Sequence, residues 1–448
     1  MLPKVFIGLL IVLTVVGAIG VWYVRTAAPV AAGLIAKQLC SLVFVAKLEP
    51  EQARSLYFET LIGAAQRFFR HRINDYSVTV TGVGQKATAI HRSGLGCTLI
   101  HSITAHDLPL SPVITVSAPG PEAIDHQIRA SNFDQTALEQ ALDVAFSGPP
   151  QRNTLAVVVM HKGALVAERY APGIGSLTPL PGWSMAKSAT VTLAGVMQQR
   201  GLLHVNDQQL FARWSRRDHR SSISLNHLLR MLSGIDIEEN GSGLDTNSIV
   251  LFTKDDSASY AMGRGLRDAP GSQFDYSSGS TLLAARYLTE VAGGPEPMYV
   301  LIRELFDTLG MHSAVLEPDA AGTFVGSSFM NASAQDWAKL GQLYLNRGRW
   351  NDQQLFAPEW VDYVSRITAQ SAVRSYGAGF TGRRPLEIYS EHQVPAPPAD
   401  TIAGRGLQNQ ALFIVPSQDL VVVRLGATGS YWQSGEWQLL ADVIAAKL

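Results

Sequence analysis

Residues 182–190 read GWSMAKSAT. Ser184 stands three residues before Lys187, and the neighbours Trp183, Met185, Ala186 and Ala189 are small or apolar. At that spacing the two side chains share one helical face, a turn apart. The run before them, SLTPLPG, is rich in turn residues, and helical spacing begins beyond it at Ala186, Val191, Ala194, Val196 and Met197. Ser184 is therefore expected at a helix N-terminus, where free N–H groups and the dipole favour developing negative charge. Gly201 is expected to stop the helix. A lysine in apolar surroundings has a lowered pKa and can take the serine proton. The plain alternative is a surface lysine on an ordinary helix. A second alternative is a nucleophile elbow, because GWSMA is one residue short of G-x-S-x-G. That elbow needs a buried strand directly before the serine, and SLTPLPG is no strand. It also needs a later acid and histidine, and His392 is the sole histidine after His312.

Working outward, Gly271–Gly279 reads GSQFDYSSG and precedes a helical run, STLLAARYL. Tyr276 and Ser278 are thereby placed on a turn. A tyrosine near the lysine can relay a proton to a leaving group, and Ser278 can hydrogen-bond the lysine or a substrate. By itself Tyr276 also reads as a half-buried core tyrosine. Upstream, TLAVVVM–HKG–ALVAERY, from Thr154, is two apolar strands around a tight turn. Helices are expected at Leu225–Leu232, Ser280–Ala292 and Ala334–Asn346. The chain ends in strands again, NQALFIVP and DLVVVRLG, and a last helix, GEWQLLADVIAAKL. Strands from both ends with helices between them predict an α+β fold. Its antiparallel β-sheet is built from remote parts, flanked by helices and interrupted by a helical insert.

These motifs together resemble the serine β-lactamase/penicillin-binding superfamily, on its class C and esterase side, from about Asn153 to the C-terminus. SMAK matches S-x-x-K, and Tyr276-Ser277-Ser278 matches Y-x-N with serine for asparagine. LNHLLRMLSGID resembles the family's helix ending in a Met-x-Ser-Gly turn, and PGSQFDYSSG its PG-x-x-F-x-Y-S run. VGSSFMNASAQDWAKLGQLYLNRGRWNDQQLF resembles a segment of nylon-oligomer hydrolases and related esterases. The third family element departs from the pattern. Where β-lactamases carry K-T-G, this chain aligns Gly404-Arg405-Gly406, followed by Leu407-Gln408-Asn409-Gln410. Gly404 replaces the lysine that grips a β-lactam carboxylate, and neighbouring side chains on a strand face opposite ways, so Arg405 is expected to face away from the cleft. The second tyrosine of nylon-oligomer hydrolases has no counterpart in Glu238–Asn247. The resemblance implies a serine hydrolase acting on an ester or amide, such as a peptidoglycan-derived or D-amino-acid peptide. In it Ser184 is the nucleophile, Lys187 the base and Tyr276 the proton shuttle. Ser278, Gly406 and Leu407 line the substrate side, and the N–H groups of Ser184 and Leu407 form the oxyanion hole.

The remainder sets the context. The chain has 448 residues, 46% apolar and 16% charged, with a net charge of −1. That composition excludes a disordered chain and offers no basic stripe for nucleic acid. The 11 histidines show no zincin spacing, and no metal or cofactor is expected. Val5–Val24 is uncharged and ends in Trp22 and Tyr23, which predicts a transmembrane anchor into the inner membrane. The alternative is a cleaved signal peptide, because the small-residue run TAAPVAA follows. Residues 29–150 read as an accessory region and linker, and 151–448 as the hydrolase domain. Within the accessory region Glu49–Arg72 is expected to be an amphipathic helix anchored by Leu56, Leu61, Phe68 and Phe69. Ser77–Thr81, Lys86–His91 and Cys97–Ile100 are expected strands, and LPLSPVITVSAPGPEA a linker. The two cysteines, Cys40 and Cys97, are expected to pair, with the bulk of the chain periplasmic. A competing function is a catalytically silent, membrane-tethered protein that binds cell-wall fragments or a protein partner.

Overall fold

Side-chain alternation assigns each face of the main sheet to a core. Along Thr154–His161, Ala156, Val158 and Met160 join one hydrophobic cluster while Val157 and Val159 join another, the period-two pattern of a strand covered on both faces. The computed structural model describes residues 2–109, 132–147, 152–371, 374–429 and 435–448. Thr154–His161 pairs with Ala164–Tyr170 through a turn in which Lys162 (φ 50) and Gly163 (φ 78) are both left-handed, the geometry that suits a two-residue hairpin. Six strands form one antiparallel sheet in the order Thr381–Gly382, Ile402–Gly406, Gln410–Val415, Leu420–Gly426, Thr154–His161, Ala164–Tyr170. The remote ends of the sequence thus meet, as expected.

Helix Ala334–Leu345 packs on one face of this sheet. The other face is covered by Gln135–Phe146, a helix not anticipated from the sequence, and Glu436–Ala445. The helical insert includes Leu225–Leu229, Thr246–Thr253, Ser257–Met262, Ser278–Val291 and Pro295–Thr308. The expected linker lies outside the described residues from position 110 onward.

The N-terminal helix runs from Leu2 to Cys40, 39 residues, or about 58 Å. By length and composition Gly20–Val45 is apolar enough to cross a membrane, and 72% of its most apolar window is buried inside the protein. Val21, Trp22, Tyr23 and Val24 are exposed, whereas Ala28, Val30, Ala32 and most residues onward are buried. The second half is therefore a core helix. It packs on a four-stranded antiparallel meander, Phe69–Ile73, Ser77–Gly82, Gln85–Arg92 and Gly96–Ile100, and on helix Thr246–Thr253. At Gly33 a Cβ would meet the Phe252 carbonyl oxygen at 1.9 Å, so only glycine permits this approach. Cys40 and Cys97 are joined as a disulfide. Beside it, the buried Glu317 carboxylate pairs with Lys37 and accepts from Ser41 Oγ (2.9 Å), the Cys97 N–H (2.6 Å) and Asn331 Nδ2 (3.0 Å).

The amphipathic helix expected over Glu49–Arg72 is not one element. Short helical pieces end at Gly63 (φ 53), a 3-10 turn follows, and Phe69 opens a strand paired with Ser77–Gly82. Strand pairing overrides helical periodicity here: Leu56, Leu61 and Phe69 still pack on the core, while Phe68 is exposed.

Candidate active site

Trp183–Met185 forms a single 3-10 turn that leads into helix Ala186–Gln199. Trp183 enters it at φ 49, a left-handed conformation that costs a bulky residue on the order of 1–3 kcal/mol. The indole is held there by its Nε1–H, which donates to Gln408 Oε1 at 3.1 Å. Gln408 is itself left-handed (φ 58) and donates from Nε2 to the Tyr57 carbonyl (3.1 Å) and Thr60 Oγ1 (2.6 Å). The N-terminal segment therefore braces the turn that presents Ser184.

Lys187 sits one turn along, 2% exposed. Its Nζ lies 3.1 Å from Ser184 Oγ, 3.1 Å from Ser278 Oγ and 3.0 Å from the Ser327 carbonyl. Burial lowers its pKa, and the carboxylate of Glu239 opposes that shift. A neutral amine has two donors and one lone pair. Donation to Ser278 and Ser327 leaves that lone pair for the Ser184 hydroxyl. The Tyr276 ring lies 4.8 Å from Lys187 Nζ. Burial chiefly, and Glu239 next, push its pKa up, so the phenol keeps its proton. Tyr376 packs edge-on against it at 5.7 Å.

Helix Ser278–Val291 positions Ser278 at its first turn, and the Ser278 N–H donates to Glu239 Oε2 at 2.6 Å. On the sheet side, Gly406 lies so close to the Ser184 turn that a Cβ would meet the Gly182 carbonyl oxygen at 2.2 Å. Leu407 lines the same groove as Ser184. The structure thus gathers Ser184, Lys187, Tyr276, Ser278, Gly406 and Leu407 at one place. Gly404 faces helix Ala186–Gln199, where a Cβ would stand 2.9 Å from Ser188 Oγ. Arg405 points to the other side of the sheet, its guanidinium 2.6 Å from Glu436 Oε1 and over the Phe413 and Trp437 rings.

Two arms of the cleft meet at Ser184. One, about 150 Å³, continues past Lys187, Tyr276 and Tyr376 to Arg374 and Arg384. The other, about 550 Å³, runs between the N-terminal helix and the Glu239–Ser248 loop. Sequence reasoning missed Glu239, Gln408, Tyr376 and the two arginines. Glu239 lies in the Glu238–Asn247 loop after Met-x-Ser-Gly, and an acidic residue beside that turn is the available signal.

A family model described as Beta-lactamase matches residues 142–435. A search of curated proteins finds no match. Among solved structures, a protein described as a 6-aminohexanoate-dimer hydrolase from Bacillus anthracis is 20% identical with a TM-score of 0.54, over 69% of this chain and 80% of that one. EstCE1, a hydrolase with promiscuous acyltransferase activity, is 17% identical with a TM-score of 0.54, over 69% and 98%. A penicillin-binding protein homologue from Caulobacter crescentus is 14% identical with a TM-score of 0.52, over 69% and 97%. At these identities the likeness is one of fold.

Proposed function

The chain belongs to the beta-lactamase family, and on that premise we propose that it is a serine hydrolase that cleaves an ester or amide through an acyl-enzyme on Ser184. The observation that carries this reading is the Lys187 environment: a buried amine in contact with Ser184 whose other partners are a hydroxyl and a carbonyl. None of the three is anionic, so nothing in direct contact holds the ammonium form, and the neutral amine is the base. Ser184 Oγ attacks the carbonyl carbon as its proton passes to Lys187 Nζ. The N–H groups of Ser184 and Leu407 receive the oxyanion, a contribution of roughly 3–4 kcal/mol per donor. The bond to the leaving group breaks, and the leaving atom takes a proton from the Tyr276 hydroxyl, which Lys187 replenishes. Water then attacks the acyl carbon by the same route, restoring Ser184 and releasing the acid.

The chain is also read as membrane-attached through its N-terminal helix with the remainder in an oxidising compartment. The apolar helix and the Cys40–Cys97 disulfide support this. Cleavage within TAAPVAA would cut a helix whose Ala28, Val30 and Ala32 are buried, which argues against a removed signal peptide. The test of the activity is labelling of the full chain with a fluorophosphonate, followed by peptide mapping. The adduct is expected on Ser184 and absent from Ser184→Ala. An adduct on another residue, Ser188 included, rejects the assignment. No adduct at all favours a silent binding protein.

A further inference from the structure

The larger arm of the cleft has a wall that a polar substrate does not need. Tyr23, Ala27, Val30, Ala31 and Leu34 line it, and their spacing places them on one face of the N-terminal helix. From Tyr23 to Leu34 that stripe is about 16 Å long, the extended length of an acyl chain of about a dozen carbons. Leu61 and Ile62 line the arm too, with Leu251 and Phe252 of the helix packed against the N-terminal helix, and so do Trp183 and Ser184. Glu239, Ser242 and Asp245, in the loop on the remaining side, and Thr60, Ser328 and Gln408 supply polar groups to the same arm. Tyr23, in the exposed aromatic end of the apolar stretch, is one of its lining residues. A trough lined both by an apolar stripe of the N-terminal helix and by a nucleophile suits a chain drawn from lipid.

Resting on the hydrolase reading above, we propose that the substrates are acyl esters of bilayer-dissolved amphiphiles, with the acyl chain lying along the N-terminal helix. The reaction is the one already written: the Ser184 Oγ–acyl bond forms, the ester C–O bond breaks, the alcohol leaves with its proton, and water releases the fatty acid. For an ester taken from water, each methylene that enters the trough is expected to raise kcat/KM by roughly fourfold, whereas a chain drawn from lipid gains little from the transfer itself.

The experiment uses the full chain in phosphatidylcholine vesicles with p-nitrophenyl acetate and p-nitrophenyl laurate. The laurate ester, which partitions into the bilayer beside the trough, is expected to exceed the acetate by at least about tenfold in kcat/KM. Ala31→Trp, which fills the trough, is expected to lower that ratio at least tenfold. Because this variant can fail to fold, ethyl and dodecyl fluorophosphonates are also compared on the unaltered protein, and the dodecyl probe is expected to label Ser184 faster. Equal labelling rates, or a ratio unmoved in a folded Ala31→Trp, overturn the acyl trough and leave the hydrolase reading standing. No label from either probe rejects both. A laurate preference seen only when the ester is delivered on albumin, and not from the vesicles, assigns a soluble acyl donor and overturns the bilayer route.

Discussion

The proposed base role of Lys187 rests on what does not touch it. Three neutral groups hold its amine, and the nearest charge, Glu239, acts through Ser278 and through space. Two predictions belong to this residue. Lys187→Arg keeps a cation that cannot release its proton, so the esterase rate should fall by about 10²–10⁴, nearly as far as in Lys187→Ala. A variant that retains most of the rate would transfer the base role elsewhere. In the parent protein kcat/KM should rise with pH, because the deprotonated amine is the active form, with an inflection below the ordinary lysine range. Glu239 favours the ammonium form, so Glu239→Gln should move that inflection to lower pH, and a shift to higher pH would refute the placement. Ser184, Lys187 and Tyr276 were legible in the sequence because a helix fixes i to i+3 and a short motif fixes the turn. Glu239 was not, because its partner Ser278 is 39 residues away and only loop closure brings them together.

Among the elements, the strand Ile402–Gly406 carries the proposed preference for neutral esters over β-lactams. Sequence alternation alone placed Arg405 on the far side of the sheet, and its pairing with Glu436 agrees. Space at Gly404 was invisible to it, because the limit is Ser188 on another helix. Without a cation at that position, neutral p-nitrophenyl butyrate should exceed nitrocefin in kcat/KM, by roughly 10- to 100-fold for one lost charge-assisted contact. A higher value for nitrocefin would overturn the esterase preference, and its loss in Arg374→Ala would then name the substitute cation. Gly33→Ala should be severely destabilising, because its Cβ would overlap a backbone oxygen that cannot move aside. A melting temperature unchanged in that variant would disprove the close packing of the two helices. The strands and the main helices were readable from period alone. Glu49–Arg72 was not, since its helical spacing gives way where Phe69 finds a strand partner.

At the scale of the molecule, Glu317 joins parts distant in sequence. It binds Lys37 and Ser41 on the N-terminal helix segment, the Cys97 N–H, and Asn331 of a short strand whose neighbour Met330 accepts from the Gly182 N–H. Removing one charge from a buried pair costs about 3–5 kcal/mol, so Glu317→Gln should lower Tm sharply. The double variant Lys37→Met/Glu317→Leu should recover part of the loss, because two apolar groups need no partner. Equal damage in both would mean the remaining hydrogen bonds, not the charges, matter. The hub was not legible, since a lone glutamate in a 448-residue chain gives no sign of burial.

The unbroken passage of the N-terminal helix into the core has a kinetic consequence. An enzyme on a flexible tether sweeps a volume above its membrane and meets targets at bulk concentration. Here the helix that carries Trp22 and Tyr23 runs on through Pro29 to Lys37 and is stapled at Cys40 to Cys97, so a helix and not a loose linker would join the core to the membrane. On the membrane-attached reading, the cleft would be held close to the lipid and explore by lateral diffusion. Its turnover in vesicles should then follow the mole fraction of substrate in the surface, and dilution with inert lipid should slow it even when the total substrate in the tube is unchanged.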